Sequence, residues 1–253
     1  DFNFINCSEN DCPVINFLHI EVDKIPSQYK SYLQSYFDEL NINNNNFFTD
    51  ISNYVSYEQG NPTHCYDLEK VGDQLILEKL KKKVSLKTLT GKNINLCESD
   101  LVFTNGRNVL NLAGVMGGES TSCNNDTKKV LIECAFFKPK SLIGKSIKYD
   151  LNSEAAYKFE RGVDPLMLEN ALRRFISIVE DHAKITKLSL YQKIYKDYES
   201  KYIENDKSKV EKILGIEIKD DIYKKILENL GFSMDDKIII PSFRHDVDDL
   251  NHI

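Results

Sequence analysis

Two isolated polar side chains are the first candidates for chemistry. Glu133 is the only carboxylate in the run VLIECAFF at 130–137, and His64 follows a proline in NPTHCYD. A carboxylate among apolar residues can accept a buried hydrogen bond, and an imidazole can exchange a proton near neutral pH. Neither is decisive, because Glu133 could equally face solvent from an edge strand, and a single histidine is more often structural.

A glycine-rich loop, AGVMGGESTSC at 113–123, offers a second kind of site. Gly114, Gly117 and Gly118 lack the Cβ that would keep a ligand away from the backbone. The loop matches neither the phosphate-binding pattern G-x-x-x-x-G-K-[ST] nor the dinucleotide pattern G-x-G-x-x-G. On the loop alone, a plain hairpin turn is the favoured interpretation.

The segment NSEAAYKFERG at 152–162 predicts the start of a helix. Asn152 or Ser153 could cap it, with Glu154 and Ala155 in its first turn. The free amide groups of a helix start can also hold a ligand. No Ser-His-Asp or Cys-His arrangement is evident, so the sequence does not indicate a covalent nucleophile.

The elements that must position these residues follow from hydrophobic periodicity. A strand is predicted at 13–22, and short β-type runs fill 74–134, with Asn105-Gly106 as a hairpin signal. Strand alternation around Glu133 places it on the face of Leu131 and Ala135, opposite Ile132 and Cys134. The clearest predicted helices are 27–40, 50–60 ended by Gly60, and 165–182 with Pro165 at its first position.

A change of pattern near residue 198 predicts two domains. Residues 1–198 would form an α+β domain in which helices pack on a mixed sheet. Residues 199–253 would form a smaller helix–helix–strand unit, truncated at its C-terminus. The chain begins without Met, so we expect it to be a piece of something longer.

Composition narrows the class of protein. The chain has 253 residues, 41% of them hydrophobic, and a net charge of −6, which disfavours a general polyanion binder. Two basic segments remain, a presumed solvated face at 79–87 and a segment at 138–148 that could hold RNA. Six cysteines without a C-x-x-C pair favour a reducing cytoplasm over disulfides or zinc. No membrane span or signal peptide is predicted.

Several stretches together resemble one family, the bacterial phenylalanyl-tRNA synthetase β subunit. The resemblance covers about residues 10–253, and five motifs in the right order make it specific. The motifs are DISNYVSYEQGNPTHCYDLEKV (50–71), AGVMGGESTS (113–122), VLIECAFFKPKSLIG (130–144), LNSEAAYKFERGVDP (151–165) and the tail pattern LGIEI…ILENLGF…IIIPSFRHDV.

The resemblance implies the editing domain of this synthetase and the start of the small domain after it. In that family the enzyme is an (αβ)₂ tetramer whose α subunit joins phenylalanine to tRNA(Phe) using ATP and Mg²⁺. The matched β domain hydrolyses tyrosine wrongly attached to that tRNA, without a cofactor. The alternative is a non-catalytic module that binds tRNA or the α subunit, and a free-standing deacylase is disfavoured by the second unit.

The resemblance also assigns roles to residues. Glu133 would accept the hydroxyl of tyrosine in a charge-assisted hydrogen bond worth about 1.5–3 kcal/mol. Walls of the amino-acid pocket, groups near the ester and a possible metal ligand are implied as well. The wall residues are Gly114, Gly117, Ser153, Glu154 and Ala155; His64, Ser52 and Asn53 would lie near the ester; Asp246 matches the first acidic residue of a magnesium site whose other members are not present.

The chain departs from the family pattern in places. Ser52 stands where the family has threonine, which keeps the hydroxyl. Ala156-Tyr157-Lys158 replaces the A-S-x-R pattern before FERGVD, and Lys145, Ile147 and Lys148 stand at positions where the family is rich in arginine. Lysine keeps the charge but loses bidentate geometry, so these departures concern the tRNA contacts rather than the pocket.

Overall fold

The computed structural model describes residues 2–252 and divides into two units, residues 1–197 and 198–253. The strands of the first unit are β1 (Asn3–Asn6), β2 (Val14–Val22), β3 (Thr63–Asp67), β4 (Gln74–Lys79), β5 (Val84–Lys87), β6 (Asn93–Leu96), β7 (Leu101–Thr104), β8 (Val109–Leu112), β9 (Met116–Gly117), β10 (Lys129–Phe136) and β11 (Ile185–Ile194). Its helices are α1 (Ser31–Leu40), α2 (Phe47–Gln59), α3 (Leu68–Val71), α4 (Lys145–Lys148), α5 (Glu154–Arg161) and α6 (Leu168–His182).

Two sheets and a layer of helices organise the first unit. The four-stranded sheet has the order β11-β2-β10-β3 and is antiparallel throughout. The five-stranded sheet has the order β1-β4-β7-β8-β9 and is mixed, because β1 and β4 run parallel. This arrangement confirms the predicted α+β class with a mixed sheet.

Side-chain alternation in the four-stranded sheet creates two cores. Phe17 and Leu131 face a core shared with Phe103 and Leu112 of the five-stranded sheet. The opposite face, which includes Ile132, packs against residues of α1, α2 and α6. Because successive residues of a strand point to opposite faces, the buried residues of β10 alternate between these two cores.

The helix α2 agrees with its sequence signals at both ends. The Asn46 side chain accepts a hydrogen bond from the Thr49 N–H at 3.1 Å, so the helix begins three residues earlier than predicted. Gly60 ends the helix with φ of 75°, as predicted. The left-handed conformation suits glycine there, because a Cβ would be strained.

Two predicted helix starts are wrong. The first helix begins at Ser31 rather than at 27, since Lys30 is extended and donates its N–H to His182 Nε2 at 2.9 Å. The long helix α6 begins at Leu168, so Pro165 is not its first residue. The Asp164 side chain accepts the Leu166 N–H at 2.9 Å and holds this segment as a turn instead.

The second unit is a small sheet with two helices. Its elements are β12 (Lys201–Glu204), α7 (Lys207–Leu214), α8 (Asp220–Asn229), β13 (Ser233–Met234) and β14 (Lys237–Ile240). The predicted helix–helix–strand order is present as α7, α8 and β14. Two short strands that the sequence did not indicate, β12 and β13, flank β14 in an antiparallel sheet. Between residues 2 and 252, no helix is both long and apolar enough to cross a membrane.

We expect Asn46→Ala to lower the free energy of unfolding by about 1 kcal/mol, because it removes the N-cap of α2. Asn46 Nδ2 also donates to Cys123 O at 3.2 Å, which adds a tertiary contact to the loss. Asn44→Ala is the matched control, since Asn44 is exposed in the same asparagine run. Urea unfolding of the two variants measures the difference, and equal effects would contradict the capping role.

Candidate active site

The register of the four-stranded sheet brings Glu133 and His64 together. Strand β10 lies between β2 and β3, and its Glu133 is paired directly with His64 of β3. Directly paired residues of an antiparallel ladder point to the same face. Glu133 is only 5% exposed, so the interpretation as a solvent-facing charge on an edge strand is wrong. The predicted alternation is confirmed, because Leu131 and Ala135 belong to the core on that same face.

Two side chains that the sequence analysis missed surround Glu133. The Tyr66 hydroxyl donates to Glu133 Oε2 at 2.9 Å, and Asn111 Nδ2 donates to the Tyr66 hydroxyl at 2.5 Å. Tyr66 is fully buried, and Asn111 is 3% exposed. Asn111 was visible as a polar residue in the apolar run VLNLAG, whereas nothing distinguished Tyr66 from its neighbours in HCYD, and their contact depends on the fold.

Burial changes the charge of Glu133. Loss of solvation raises its pKa to about 8, although the hydrogen bonds from Tyr66 and Asn111 act in the opposite direction. The carboxyl group is therefore mostly protonated at neutral pH. An ionised Glu133 would be needed for the expected charge-assisted hydrogen bond, whereas the neutral bond that this pKa favours contributes only about 0.5–1.5 kcal/mol.

The glycine-rich loop combines a turn with a cavity wall. Gly114 has φ of 66° in the tight link between β8 and β9, where Val115 N–H donates to Leu112 O at 3.0 Å. Gly117 lies in β9, and a Cβ there would come within 2.5 Å of His64 Cε1. The hairpin interpretation is thus correct for Gly114. At Gly117 the absent Cβ makes room for the His64 ring.

The start of α5 is fastened to this loop by Ser153. Its Oγ accepts the Ala156 N–H at 3.1 Å, which confirms Ser153 as the predicted N-cap. The same hydroxyl donates to Val115 O at 2.5 Å. Ser153 therefore fixes the position of Glu154 and Ala155 relative to the glycine loop.

These residues line a small cavity and a wider cleft. The cavity is about 60 Å³, room for a few water molecules, and the cleft is about 740 Å³. His64, Gly117 and Ala155 line both spaces, so the two adjoin. The other predicted residues divide between them: Glu133 and Gly114 line the cavity, with Asn111, while Ser52, Asn53, Ser153 and Glu154 line the cleft.

The cleft residues differ in how firmly they are held. Ser52 is buried, and its Oγ donates to Thr63 O at 2.8 Å, so its proton is already used. Asn53 is exposed on the same helix and lines the cleft. Cys65 also lines the cleft, but burial raises the pKa of its thiol, which keeps it protonated and poorly nucleophilic.

His64 is a neutral imidazole in this setting. Burial lowers its pKa to about 4, and its ring packs edge-on against Tyr66 with ring centroids 4.4 Å apart. A neutral imidazole has one N–H donor and one acceptor nitrogen. At neutral pH it is a weak base, because a general base is most effective with a pKa near the working pH. The geometry therefore favours hydrogen bonding to a water or an ester over outright proton abstraction.

Part of the basic segment at 138–148 is occupied by an internal carboxylate. Asp100 is fully buried, and Lys145 Nζ lies 2.5 Å from its Oδ1. Lys148 lies 3.5 Å from the same oxygen. These hydrogen bonds and charges hold the pKa of Asp100 below its usual range despite burial. Lys145 is thus engaged in an ion pair with Asp100 inside the fold, which weakens the expectation that this segment holds RNA.

Asp246 belongs to the second unit and pairs with Arg244. Both guanidinium contacts, Nε to Oδ1 and Nη2 to Oδ2, are 2.8 Å long, and they lower the pKa of Asp246 to about 2. Within residues 2–252, no three His, Cys, Asp or Glu side chains converge in a way that could hold a metal ion. A role for Asp246 as a magnesium ligand stays a prediction.

Comparison with known proteins gives a family for this chain. The pattern described as "B3/4 domain" matches residues 16–184, more than half of the chain. The "Phenylalanine--tRNA ligase beta subunit" of Bartonella quintana (strain Toulouse) is 30% identical over 96% of the chain and 31% of that protein. The subunit of the same name from Staphylococcus epidermidis is 34% identical over 80% of the chain and 26% of that protein. The chain thus spans about a third or less of the length of these curated relatives.

A solved structure is also similar. It is an N-terminal fragment of the phenylalanyl-tRNA synthetase beta subunit from Pyrococcus horikoshii, with 13% identity and a TM-score of 0.45. The match covers 98% of this chain and 71% of that one.

Titration of Glu133 should make the chain less stable as pH rises. Its ordinary pKa is 4.5 and its pKa in the fold is about 8, so between these values the folded state binds more protons than the unfolded state. The free energy of unfolding must then fall as pH increases through this window. Glu133→Gln keeps the shape without the titration.

Urea unfolding at pH 6.5 and pH 8.5 tests this expectation. The wild type should lose about 2 kcal/mol more than Glu133→Gln over that interval, since one pKa unit corresponds to about 1.36 kcal/mol. His64 titrates near pH 6.5 in the unfolded state, because its pKa is lowered to about 4 only in the fold, but this contribution is common to both proteins and cancels in the comparison. Parallel pH profiles for the two proteins would mean that Glu133 is ionised throughout.

Proposed function

The chain belongs to the B3/4 domain family, and from this premise we propose that it hydrolyses tyrosine from mischarged tRNA(Phe) as part of a phenylalanine–tRNA ligase β subunit. One observation carries the proposal: a cavity with a buried carboxyl group adjoins a wider cleft that contains the polar residues expected near an ester. The hydroxyl end of an aromatic side chain would enter the cavity, and the ester at the tRNA terminus would lie in the cleft.

Such a site answers a selectivity problem. Tyrosine differs from phenylalanine by one hydroxyl, and an apolar synthetic pocket rejects an added hydroxyl by only ~10²-fold. A second site must therefore favour the hydroxyl. Glu133 supports that role because it is buried at 5% exposure, so a ligand without a hydroxyl leaves polar groups poorly satisfied.

Hydrolysis here would depend on positioning rather than on a covalent nucleophile. The aminoacyl ester is already activated, and a held water can attack it once the developing charge on the oxygen is stabilised. His64 is placed between the cavity and the cleft, where a neutral imidazole can orient that water or the ester carbonyl. Asn53 and the first turn of α5 supply further hydrogen-bonding groups along the cleft.

The remaining activities would lie outside this chain. In the proposed assembly, the α subunit joins phenylalanine to tRNA(Phe) with ATP and Mg²⁺, within an (αβ)₂ tetramer in the cytoplasm. The editing step itself would need no cofactor. The net charge of −6 favours a supporting role for other parts of the synthetase in holding the tRNA, so the isolated chain should be a weak deacylase.

Blocking the junction of cavity and cleft should abolish editing. Ala155 lines both spaces, so Ala155→Trp would fill the path of the substrate side chain. Tyr157→Trp is the matched control, because Tyr157 is 55% exposed and lies two residues further along the same helix. Release of tyrosine from Tyr-tRNA(Phe) is measured with each variant in the reconstituted heterotetramer.

We expect Ala155→Trp to reduce hydrolysis to the uncatalysed rate while Tyr157→Trp and aminoacylation stay near wild type. Unchanged hydrolysis by Ala155→Trp would remove this cavity from the mechanism. No hydrolysis by the wild-type assembly would instead favour the non-catalytic binding module.

His64→Ala should slow hydrolysis by about 10²-fold or more while changing the affinity for free tyrosine little. The reason is that His64 lies on the cleft side of Glu133 and is expected to act on the ester. Single-turnover rates and tyrosine titration separate the two effects. His182→Ala, which removes an imidazole bound to the Lys30 backbone, should change neither quantity. An equal loss of rate and affinity would indicate that His64 has a structural role instead.

A further inference from the structure

An unsatisfied oxygen lies in the polar cluster beside Glu133. Asn111 Nδ2 donates to the Tyr66 hydroxyl, but Asn111 Oδ1 has no hydrogen-bond partner and is screened from solvent. Asn111 is 3% exposed and lines the cavity together with Glu133. A buried carbonyl oxygen without a donor costs free energy, so this position favours a ligand that carries a donor.

The direction of the hydrogen bonds shows which donor is missing. The chain runs from Asn111 Nδ2 to the Tyr66 hydroxyl and then to Glu133 Oε2. Tyr66 has a single hydroxyl proton, and it is already given to Glu133. Neither Tyr66 nor the amide of Asn111 itself can therefore satisfy Asn111 Oδ1. No other donor of the described residues lies within hydrogen-bond distance of Asn111 Oδ1, so a ligand that carries a donor into the cavity would satisfy it.

Backbone pairing between β8 and β9 fixes the position of Asn111 in the cavity wall. Asn111 pairs with Gly117 across the β8–β9 ladder, and the missing Cβ of Gly117 is what admits the His64 ring. Asn111 therefore belongs to the same wall as the glycine loop. Glu133 and Tyr66 come from the opposing sheet, so a ligand between the two sheets would meet Asn111 on one side and Glu133 on the other.

We propose that Asn111 is a specificity-determining residue, whose Oδ1 accepts the hydroxyl proton of a bound tyrosyl group while Glu133 contacts the same hydroxyl. This inference rests on the proposed function and adds a second recognition group to it. Selectivity for tyrosine then depends on a donor in the ligand, and not merely on a group of the right size. Phenylalanine would leave Asn111 Oδ1 unsatisfied.

The test compares two buried asparagines whose Oδ1 atoms both lack a hydrogen-bond partner. Asn111→Leu removes the acceptor while keeping the branching and the number of side-chain heavy atoms; it also removes the Nδ2 donor to the Tyr66 hydroxyl. Asn16→Leu is the control, because Asn16 is also buried, at 1% exposure, and its Oδ1 also lacks a partner. Asn16 pairs with Cys134 and so lies on the other face of the sheet from Glu133. Affinities for free L-tyrosine and L-phenylalanine are measured at pH 6, where Glu133 is protonated.

We expect Asn111→Leu to lower the tyrosine-to-phenylalanine affinity ratio roughly 5- to 100-fold, and Asn16→Leu to leave it within about twofold of wild type. A wild-type ratio in Asn111→Leu, together with a lost ratio in Glu133→Ala, would overturn the inference and leave Glu133 as the sole recognition group. A wild-type protein without preference for tyrosine, in binding and in Tyr-tRNA(Phe) hydrolysis, would contradict the proposed function as well.

A ligand series on the wild-type protein keeps the test independent of folding in the variant. 4-Amino-L-phenylalanine has a donor at the position of the hydroxyl, and 4-fluoro-L-phenylalanine has none at similar size. The first should bind like tyrosine and the second like phenylalanine. Equal affinities for the two analogues would overturn the assignment of Asn111 Oδ1 as a proton acceptor.

Discussion

The pairing of β10 with β3 is the constraint on which the rest of the site depends. It sets Glu133 opposite His64 in an antiparallel sheet, with Glu133 buried and His64 half-buried on the face toward the second sheet. A shift of one residue in this register would turn Glu133 toward the helices and place Ile132 or Cys134 in the cavity. Burying a carboxyl group is unfavourable, so the fold keeps it neutral at pH 7 and gives it the Tyr66 hydroxyl as a partner.

The other wall of the cavity comes from a different part of the chain and is fixed by different contacts. Gly117 allows the His64 ring to lie against the β9 backbone, and Ser153 links α5 to the turn that precedes β9. The first contact joins β9 to β3, and the second joins α5 to the turn between β8 and β9. The cavity is therefore a property of the packed layers, and a change at Gly117 or Ser153 would alter its shape.

Some of this arrangement could be predicted from the sequence, because it rests on local rules. Alternation placed Glu133 on the correct face, and capping chemistry identified Ser153 and Gly60. The two helix starts that were predicted wrongly depend on tertiary contacts or on a local side-chain hydrogen bond. The start of the first helix depends on a bond from Lys30 to His182, which is 152 residues away in sequence. The Asp164 turn displaced Pro165 from its predicted place, since a side-chain hydrogen bond overrode the usual preference of proline.

The charge of Glu133 shows why the protonation state and the hydrogen-bond partners of the site could not be predicted from the sequence. A sequence gives the residue type and its neighbours in the strand, but a pKa depends on everything packed around the group, here Tyr66 from β3 and Asn111 from β8. A neutral carboxyl group has one donor and one acceptor oxygen, as a phenol hydroxyl also both donates and accepts. In the proposed function, recognition then rests on matching donors with acceptors among uncharged groups. Such a site favours the hydroxyl because its absence leaves buried atoms unpaired, and it avoids the desolvation of a full charge that an ionised Glu133 would require.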